Sequence, residues 1–221
     1  MNREEVLKIA KPILFNTEMV KAILEGRKTA TRRVIPEKMV DEYYDYDDFC
    51  ISVGTGDIST TREYEEEFFS KRAKWQVGDI LYVRETWTQL CRVDENGYTH
   101  FDDVMTYYYA DGEPDINLYD ADGFLLDDQT IKWKPSIHMP KEAARILLKV
   151  TDVRVERLQD MCVADCVREG VEVGNAWTVN AKPNFIKLWD STIKKQDIEI
   201  YGWKANPWVW VIEFERIEVE Q

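Results

Sequence analysis

The sequence predicts an α+β, mainly β fold: a small barrel with short flanking helices. Short apolar stretches with strand-like alternation recur along the 221 residues, and two or three short helical patterns separate them. Strands and helices do not alternate in the regular order that marks a doubly wound parallel sheet. A chain of this length can bury a real core. We therefore predict a single domain, residues 1–221, with two acidic β or loop insertions at about 36–73 and 89–135.

The first predicted elements are a strand, a helix and a basic turn. Residues 13–15 are apolar and typical of a short strand, and Asn16 or Thr17 can cap the helix that follows. That helix is predicted from an apolar stripe at helical spacing, formed by Val20, Ile23 and Leu24. Gly26 tolerates the left-handed backbone that ends a helix. The basic stretch 27–33 therefore begins at a helix exit.

Two acidic segments interrupt this pattern. Residues 41–70 hold ten acids against one cation, Arg62, and show no convincing helical period, so we predict an inserted loop or hairpin outside the core. Residues 91–130 hold eleven acids against one cation, Arg92. Here a turn signal at 95–97 and a run of tyrosines at 107–109 predict an insertion of β-hairpins over residues 90–134.

The remaining elements are predicted from apolar periodicity. A strand at 80–87 follows the turn Gly78-Asp79, and one long strand covers about 146–155. A short helix capped by Asp160 runs through Glu169 and ends at Gly170. A second helix has an apolar face made of Phe185, Leu188 and Trp189. The last strand covers 208–216, where Trp208 and Trp210 are more typical of a barrel core than of a base-stacking surface.

Composition excludes several classes of protein. The formal charge of -13 argues against a protein that coats nucleic acid non-specifically, because neutralising phosphates needs an excess of Lys and Arg. The chain has no apolar run of membrane-spanning length, which predicts no membrane association and a cytoplasmic location. Four scattered cysteines do not make a disulfide framework. Cys162 and Cys166 share a helical face far in sequence from His100 and His138, so neither a metal site nor a cofactor is predicted.

An amphipathic helix is followed by residues 26–33, whose sequence is Gly-Arg-Lys-Thr-Ala-Thr-Arg-Arg. This stretch matches the ASCH signature of Gly, any residue, Lys, four residues and Arg. In the same order, residues 75–85 resemble the turn and next strand of that family, and residues 158–170 resemble its later helix. The resemblance covers roughly 11–35, 74–88 and 143–216. The tract 134–140, together with Ala144 and Arg145, is similar to longer, often phage-encoded members. It implies a PUA-like β-barrel that binds RNA or a modified nucleoside in a basic cleft.

Within this family the chain also resembles the small bacterial N4-acetylcytidine amidohydrolases. That resemblance implies Thr31 as nucleophile, Lys28 as its base and Glu169 as a proton donor or orienting acid. A further set of residues is expected to line the binding cleft: Gly26, Arg27, Arg32, Arg33, Arg84 and Glu85. Arg84 and Glu85 are equally compatible with a pair across strands.

The chemistry of this triad sets two conditions. A free lysine amine has a pKa of about 10.4, so Lys28 could act as a base near neutral pH only if burial lowered its pKa strongly. Strand alternation places Thr29, Thr31 and Arg33 on one face and Lys28, Ala30 and Arg32 on the other. Lys28 must therefore still lie in the turn if it is to approach Thr31.

Three functions are compatible with the sequence. The first is a binding module for single-stranded RNA or one modified base. The second is an amidohydrolase that removes an acyl group from an N4-acylated cytidine-type nucleoside. The third uses the acidic insertions as a nucleic-acid mimic or as a docking surface for a protein partner, in a phage counter-defence role. For Lys28 and the arginines, the ordinary alternative is a solvated charged loop.

Overall fold

The computed structural model describes residues 2–52, 62–93, 98–114, 131–172 and 180–219. Its α-helices are α1 Arg3–Ile9, α2 Thr17–Leu24, α3 Glu37–Ser52, α4 Arg62–Lys71, α5 Val163–Arg168, α6 Ala181–Thr192 and α7 Ile198–Tyr201. Its strands are β1 Lys11–Leu14, β2 Ala30–Val34, β3 Ile80–Arg84, β4 Trp87–Val93, β5 Thr99–Tyr108, β6 Leu147–Arg157 and β7 Trp208–Ile217. Across these ranges, every helix is too short or too polar to traverse a bilayer.

The strands form a mixed five-stranded sheet and a separate two-stranded sheet, which confirms the α+β class. The larger sheet has the order β1-β3-β6-β7-β2, and β4 pairs with β5 in the smaller one. β1 and β3 run parallel, whereas β2 and β7 run antiparallel. Because β1 and β2 lie at the two ends of the larger sheet, strand pairing among the described residues closes no barrel. Barrel closure therefore remains a prediction.

The chain divides into two compact units, of which the first comprises residues 1–21, 80–147 and 217–221. Its helix α1 begins with a capping box, in which the Asn2 side chain accepts from the Glu5 amide and the Glu5 carboxylate accepts from the Asn2 amide. The helix buries Val6 and Leu7 against Leu147. β4 and β5 form an antiparallel hairpin in the predicted second insertion, whereas residues 94–97 and 115–130 lie outside the described residues.

The second unit comprises residues 22–79 and 148–216. β2 pairs with β7 in a register that sets Ala30 opposite Glu213 and Arg33 opposite Trp210. Helices α5 and α6 cover a core that includes Leu158, Cys166, Phe185, Trp189, Val209 and Val211. The cap predicted for α5 is wrong: the helix begins after Cys162 rather than at Asp160, because the Asp165 side chain accepts from the Cys162 amide at 2.9 Å.

The loop or hairpin predicted over residues 41–70 is also wrong. The described part of this segment is helical, in α3 and α4, and it does contribute to the core: Phe69 is completely buried. Tyr43 of α3 makes ring contacts with Phe68 and Phe69 of α4, with centroids 5.1 and 5.3 Å apart. The carbonyl oxygen of Phe69 accepts from the indole of Trp210 at 2.8 Å. These tertiary contacts stabilise helices whose own sequence pattern is weak.

Candidate functional site

The turn between α2 and β2 holds Lys28 against the end of α5. Gly26 has a left-handed backbone, with φ of 74°, and this lets the amides of Arg27 and Lys28 both donate to the carbonyl of Ala22. Lys28 then forms an isolated antiparallel bridge with Glu169. The predicted helix exit is thus confirmed, and it brings two residues 141 positions apart into backbone register.

Lys28 and Glu169 form a buried ion pair. The Lys28 side chain is inaccessible to solvent, the Glu169 side chain is 4% exposed, and the amine nitrogen lies 2.8 Å from Glu169 Oε2. The same amine donates to the carbonyl oxygens of Ala30, at 2.8 Å, and Glu169, at 2.9 Å. Three acceptors match the three N–H groups of an ammonium, whereas a neutral amine has only two. This arrangement is complementary to protonated Lys28.

Burial nonetheless destabilises the charge on Lys28. Desolvation is the largest influence and lowers the pKa of the amine; the Glu169 carboxylate opposes it, and the fields of Arg33 and Arg32 add to the lowering. The pKa of Lys28 is therefore shifted in the direction that a base near neutral pH requires. The Glu169 carboxylate stabilises the protonated amine, whereas the dry environment favours loss of its proton.

Arg32 extends the pair into a network of carboxylates. Its guanidinium lies 3.2 Å from Glu169 Oε1, 2.6 Å from Glu156 Oε1 and 3.8 Å from Asp165 Oδ2. Desolvation disfavours this buried charge, but the carboxylates of Glu169 and Glu156 outweigh it and raise the pKa of Arg32. Glu169 therefore sits between two buried cations, and each of its carboxylate oxygens has its own cation.

Thr31 and Arg33 form the second group of the site. Thr31 is 1% exposed, and its Oγ1 accepts from the Arg33 guanidinium at 2.7 Å. Arg33 also donates to the carbonyl of Arg32 at 2.9 Å. Burial lowers the pKa of Arg33, against the opposing field of Glu169. The predicted alternation is confirmed, since Thr31 pairs with Arg33 while Arg32 joins Lys28 at Glu169.

Sequence reasoning missed two acids of this network, Glu156 and Asp165. Asp165 was detectable, because it lies four residues before Glu169 and so falls on the same face of α5. Glu156 had no such signal: it comes from β6, 124 residues from Arg32, and only sheet order brings the two together.

Three of the cations expected to line a basic cleft are paired with carboxylates. Arg27 lies 2.5 Å from Glu25 Oε2, Lys28 faces Glu169, and Arg32 faces three carboxylates. Arg27 also donates to the carbonyl of Gly170 at 2.7 Å. The motif cations therefore form an ordered array of donors and acceptors rather than a concentration of positive charge.

Arg84 and Glu85 belong to the first unit, where they have partners of their own. Glu85 is 1% exposed and receives a bidentate pair of hydrogen bonds from Arg145, both at 3.0 Å. Arg145 stacks on Tyr108, with its guanidinium carbon 4.0 Å from the ring centroid. Desolvation raises the pKa of Glu85 despite Arg145. Arg84 donates to the carbonyl of Ile137. Neither contact joins two strands, because Glu85, Arg145 and Ile137 all lie outside them, so these contacts are not the predicted pair across strands. A role of Arg84 and Glu85 in lining the cleft stays a prediction.

No family model, curated protein or solved structure matches this chain. The resemblance to ASCH proteins therefore stays a prediction from the sequence motifs.

Proposed function

We propose that this chain is a cytoplasmic ASCH-type protein with a PUA-like barrel, and that it binds RNA or a modified nucleoside through the site around Lys28 and Glu169. One observation carries this proposal: the Lys28 amine donates to three acceptors, an arrangement complementary to its protonated form. A binding site of this kind needs no proton transfer. The buried network then holds Thr31 and Arg33 in defined positions for a ligand.

The pairing of charges determines which kind of binding is expected. A protein that neutralises many phosphates loses affinity steeply as salt rises, with a slope of about -0.7 per phosphate on a single strand. Arg27, Lys28 and Arg32 each face a carboxylate already. Recognition therefore relies on directed hydrogen bonds to one nucleoside, and we expect a salt slope equivalent to about one or two phosphates.

Arg33→Gln is expected to weaken binding about tenfold, because the charge-assisted donor beside Thr31 is lost. Fluorescence anisotropy would measure the Kd of a labelled eight-nucleotide single-stranded RNA, with its central cytidine either unmodified or N4-acetylated. Lys187→Gln is the matched control, since it removes an exposed cation of α6 in the same unit. Thermal melting checks that each variant is folded. Absence of binding by the wild type, or equal Kd values for Arg33→Gln and Lys187→Gln, would reject the proposal.

A second candidate function, amidohydrolysis, is favoured by the Arg33 hydrogen bond to Thr31. A guanidinium that donates to Oγ1 stabilises negative charge on that oxygen. In this reaction Lys28 must first turn from Glu169 toward the face of β2 that carries Thr31. Thr31 Oγ1 then attacks the acyl carbon of the N4-acyl group, and its proton passes to neutral Lys28. Lys28 then protonates the leaving exocyclic nitrogen, and water hydrolyses the acyl-threonine ester to release acetate. Lys28 must first give up one of its three acceptors to become a base.

The amidohydrolase hypothesis makes two kinetic predictions for acetate release from N4-acetylcytidine. Thr31→Val is expected to lower kcat/KM about a hundredfold, whereas Thr31→Ser keeps the hydroxyl and retains most activity. Because burial lowers the pKa of Lys28 and only the neutral amine is a base, the rate should rise with pH and level off below about 10.4. Equal loss in Thr31→Val and Thr31→Ser, or no acetate release by the wild type, would exclude this function.

A further inference from the structure

A series of charged side chains runs from the Lys28 amine to the surface of the second unit. Neighbouring members carry opposite charges, in the order Lys28, Glu169, Arg32, Glu156 and Arg154. Side-chain exposure rises from 0% at Lys28 to 13% at Glu156 and 34% at Arg154. Glu156 therefore connects the buried cations of the site to the solvated side of β6.

Glu156 makes the shortest contacts of the Arg32 guanidinium. Its Oε1 atom accepts from Nη2 at 2.6 Å and from Nε at 2.9 Å, whereas Nη1 lies 3.2 Å from Glu169 Oε1. Asp165 is farther away, with 3.8 Å between its Oδ2 atom and Nη2. Two hydrogen bonds to one side of a planar guanidinium fix its position and its orientation. Because Nε and Nη2 face Glu156, Nη1 is the terminal nitrogen that meets Glu169.

Arg32 and Lys28 share the carboxylate of Glu169. Arg32 contacts Oε1, and the Lys28 amine lies 2.8 Å from Oε2. Burial lowers the pKa of Lys28 most strongly, Glu169 opposes this effect, and the fields of Arg33 and Arg32 add to the lowering. A second carboxylate that compensates the charge of Arg32 therefore favours the ammonium form of Lys28.

We propose that Glu156 is a positioning residue of the candidate site: by fixing and compensating Arg32, it keeps the Glu169 carboxylate available to the Lys28 ammonium. Without the Glu156 charge, the buried guanidinium of Arg32 depends more on Glu169, and Lys28 loses its proton at lower pH. The importance of this role for ligand binding rests on the nucleoside site proposed above, whereas the effect on Lys28 does not.

The other titratable groups that face this part of the network come from β2 and α5. Arg33 of β2 acts on Lys28 through its field, and Asp165 of α5 faces Arg32. Burial raises the pKa of the Cys166 thiol on α5, and the field of Arg32 opposes this effect. Arg33, Asp165 and Cys166 are unchanged in the variants described below, so differences in the titration of Lys28 report on Glu156 and Arg32.

The protonation of Lys28 can be followed by NMR of the full chain with isotope-labelled lysine, where the amine signal that is absent from Lys28→Met belongs to Lys28. We expect its pH midpoint in Glu156→Gln to lie about 0.5–1 below that of the wild type, because the amide still accepts from Arg32 but carries no charge. Asp152→Asn is the matched control and should titrate like the wild type, since Asp152 lies on the same strand and pairs with Arg154 at 3.0 Å.

Thermal melting checks that each variant is folded. Glu156→Asp withdraws the carboxylate from Arg32 by one methylene group, so it should lower the midpoint by a smaller amount, and it provides the test if Glu156→Gln does not fold. An unchanged midpoint in the folded Glu156 variants, or an equal fall in Asp152→Asn, would overturn the proposal.

A double-mutant comparison tests whether Glu156 acts through Arg32. Arg32→Gln alone should raise the pH midpoint of Lys28, because the field of Arg32 contributes to lowering the pKa of the amine. In that background, Glu156→Gln should move the midpoint by less than about half as much as in the wild type. Equal shifts in the two backgrounds would show that Glu156 does not act through Arg32, contrary to the proposal.

Ligand binding provides a separate readout. The probe is a labelled single-stranded RNA of adenosine and cytidine, whose bases stay neutral in mildly alkaline solution, and fluorescence anisotropy measures its Kd across the pH range of the Lys28 titration. We expect the Kd to rise as Lys28 loses its proton, at correspondingly lower pH in Glu156→Gln but not in Asp152→Asn. The same pH dependence in Glu156→Gln and the wild type would overturn the positioning role. Absence of RNA binding by the wild type would instead reject the nucleoside site, and the NMR midpoint would then decide the role of Glu156.

Discussion

Glu169→Ala is expected to lower the free energy of unfolding by about 3–5 kcal/mol, the usual cost of removing one partner from a buried ion pair. Glu169 is 4% exposed and contacts two buried cations, Lys28 at 2.8 Å and Arg32 at 3.2 Å. Its removal leaves the Lys28 ammonium in a dry environment without a counter-charge. Chemical denaturation, monitored by tryptophan fluorescence, measures the change.

Three comparisons isolate the contribution of the buried ion pair. Glu172→Ala removes an exposed acid three residues further along the chain and should change stability by no more than about 0.5 kcal/mol. Lys28→Met should cost less than Glu169→Ala, because Glu169 keeps Arg32 as a partner when the amine is gone. In the Lys28→Met background, Glu169→Ala should then cost less than in the wild type, since one buried cation fewer is left unpaired. A loss below about 1 kcal/mol for Glu169→Ala alone would show that the ion pair is not as dry as these contacts indicate.

Gly170→Ala is the second change with a large expected effect, about 2–5 kcal/mol of lost stability. Gly170 has φ of 86°, a conformation that side chains rarely adopt. An added Cβ would also lie 2.8 Å from Ala22 Cβ and 2.9 Å from Lys28 Cβ. Backbone strain and overpacking therefore combine at one position, and both act on the turn that places Lys28.

Gly78→Ala separates these two contributions. Gly78 has nearly the same backbone, with φ of 90°, but an added Cβ would meet nothing within 4 Å. Its expected cost is the conformational strain alone, roughly 1–2 kcal/mol. If Gly170→Ala and Gly78→Ala have the same midpoint in urea, then α5 can move away from the turn and the close packing at Gly170 is not a constraint on the site.

Elements with strong local signals were predictable. Gly26 ends α2 because glycine tolerates left-handed backbone, and the stripe of Val20 and Ile23 predicts the helix before it. The strand β7 follows from its run of β-branched and aromatic residues. In contrast, α3 and α4 were missed, because their helical pattern is weak and Tyr43, Phe68 and Phe69 stabilise them through contacts between helices.

The candidate site also has some features that the local sequence predicts and others that only tertiary packing determines. Local sequence determined the turn at Gly26, the alternation along β2 that pairs Thr31 with Arg33, and the short helix that ends beside Gly170. Only the tertiary structure decided that Glu169 lies between Lys28 and Arg32, that Glu156 joins them from β6, and that the motif cations are paired with carboxylates. Backbone conformation depends on neighbours in the chain and can be predicted from them. The charge state and orientation of a buried group depend on partners more than a hundred residues away, which meet only when the sheet and helices pack.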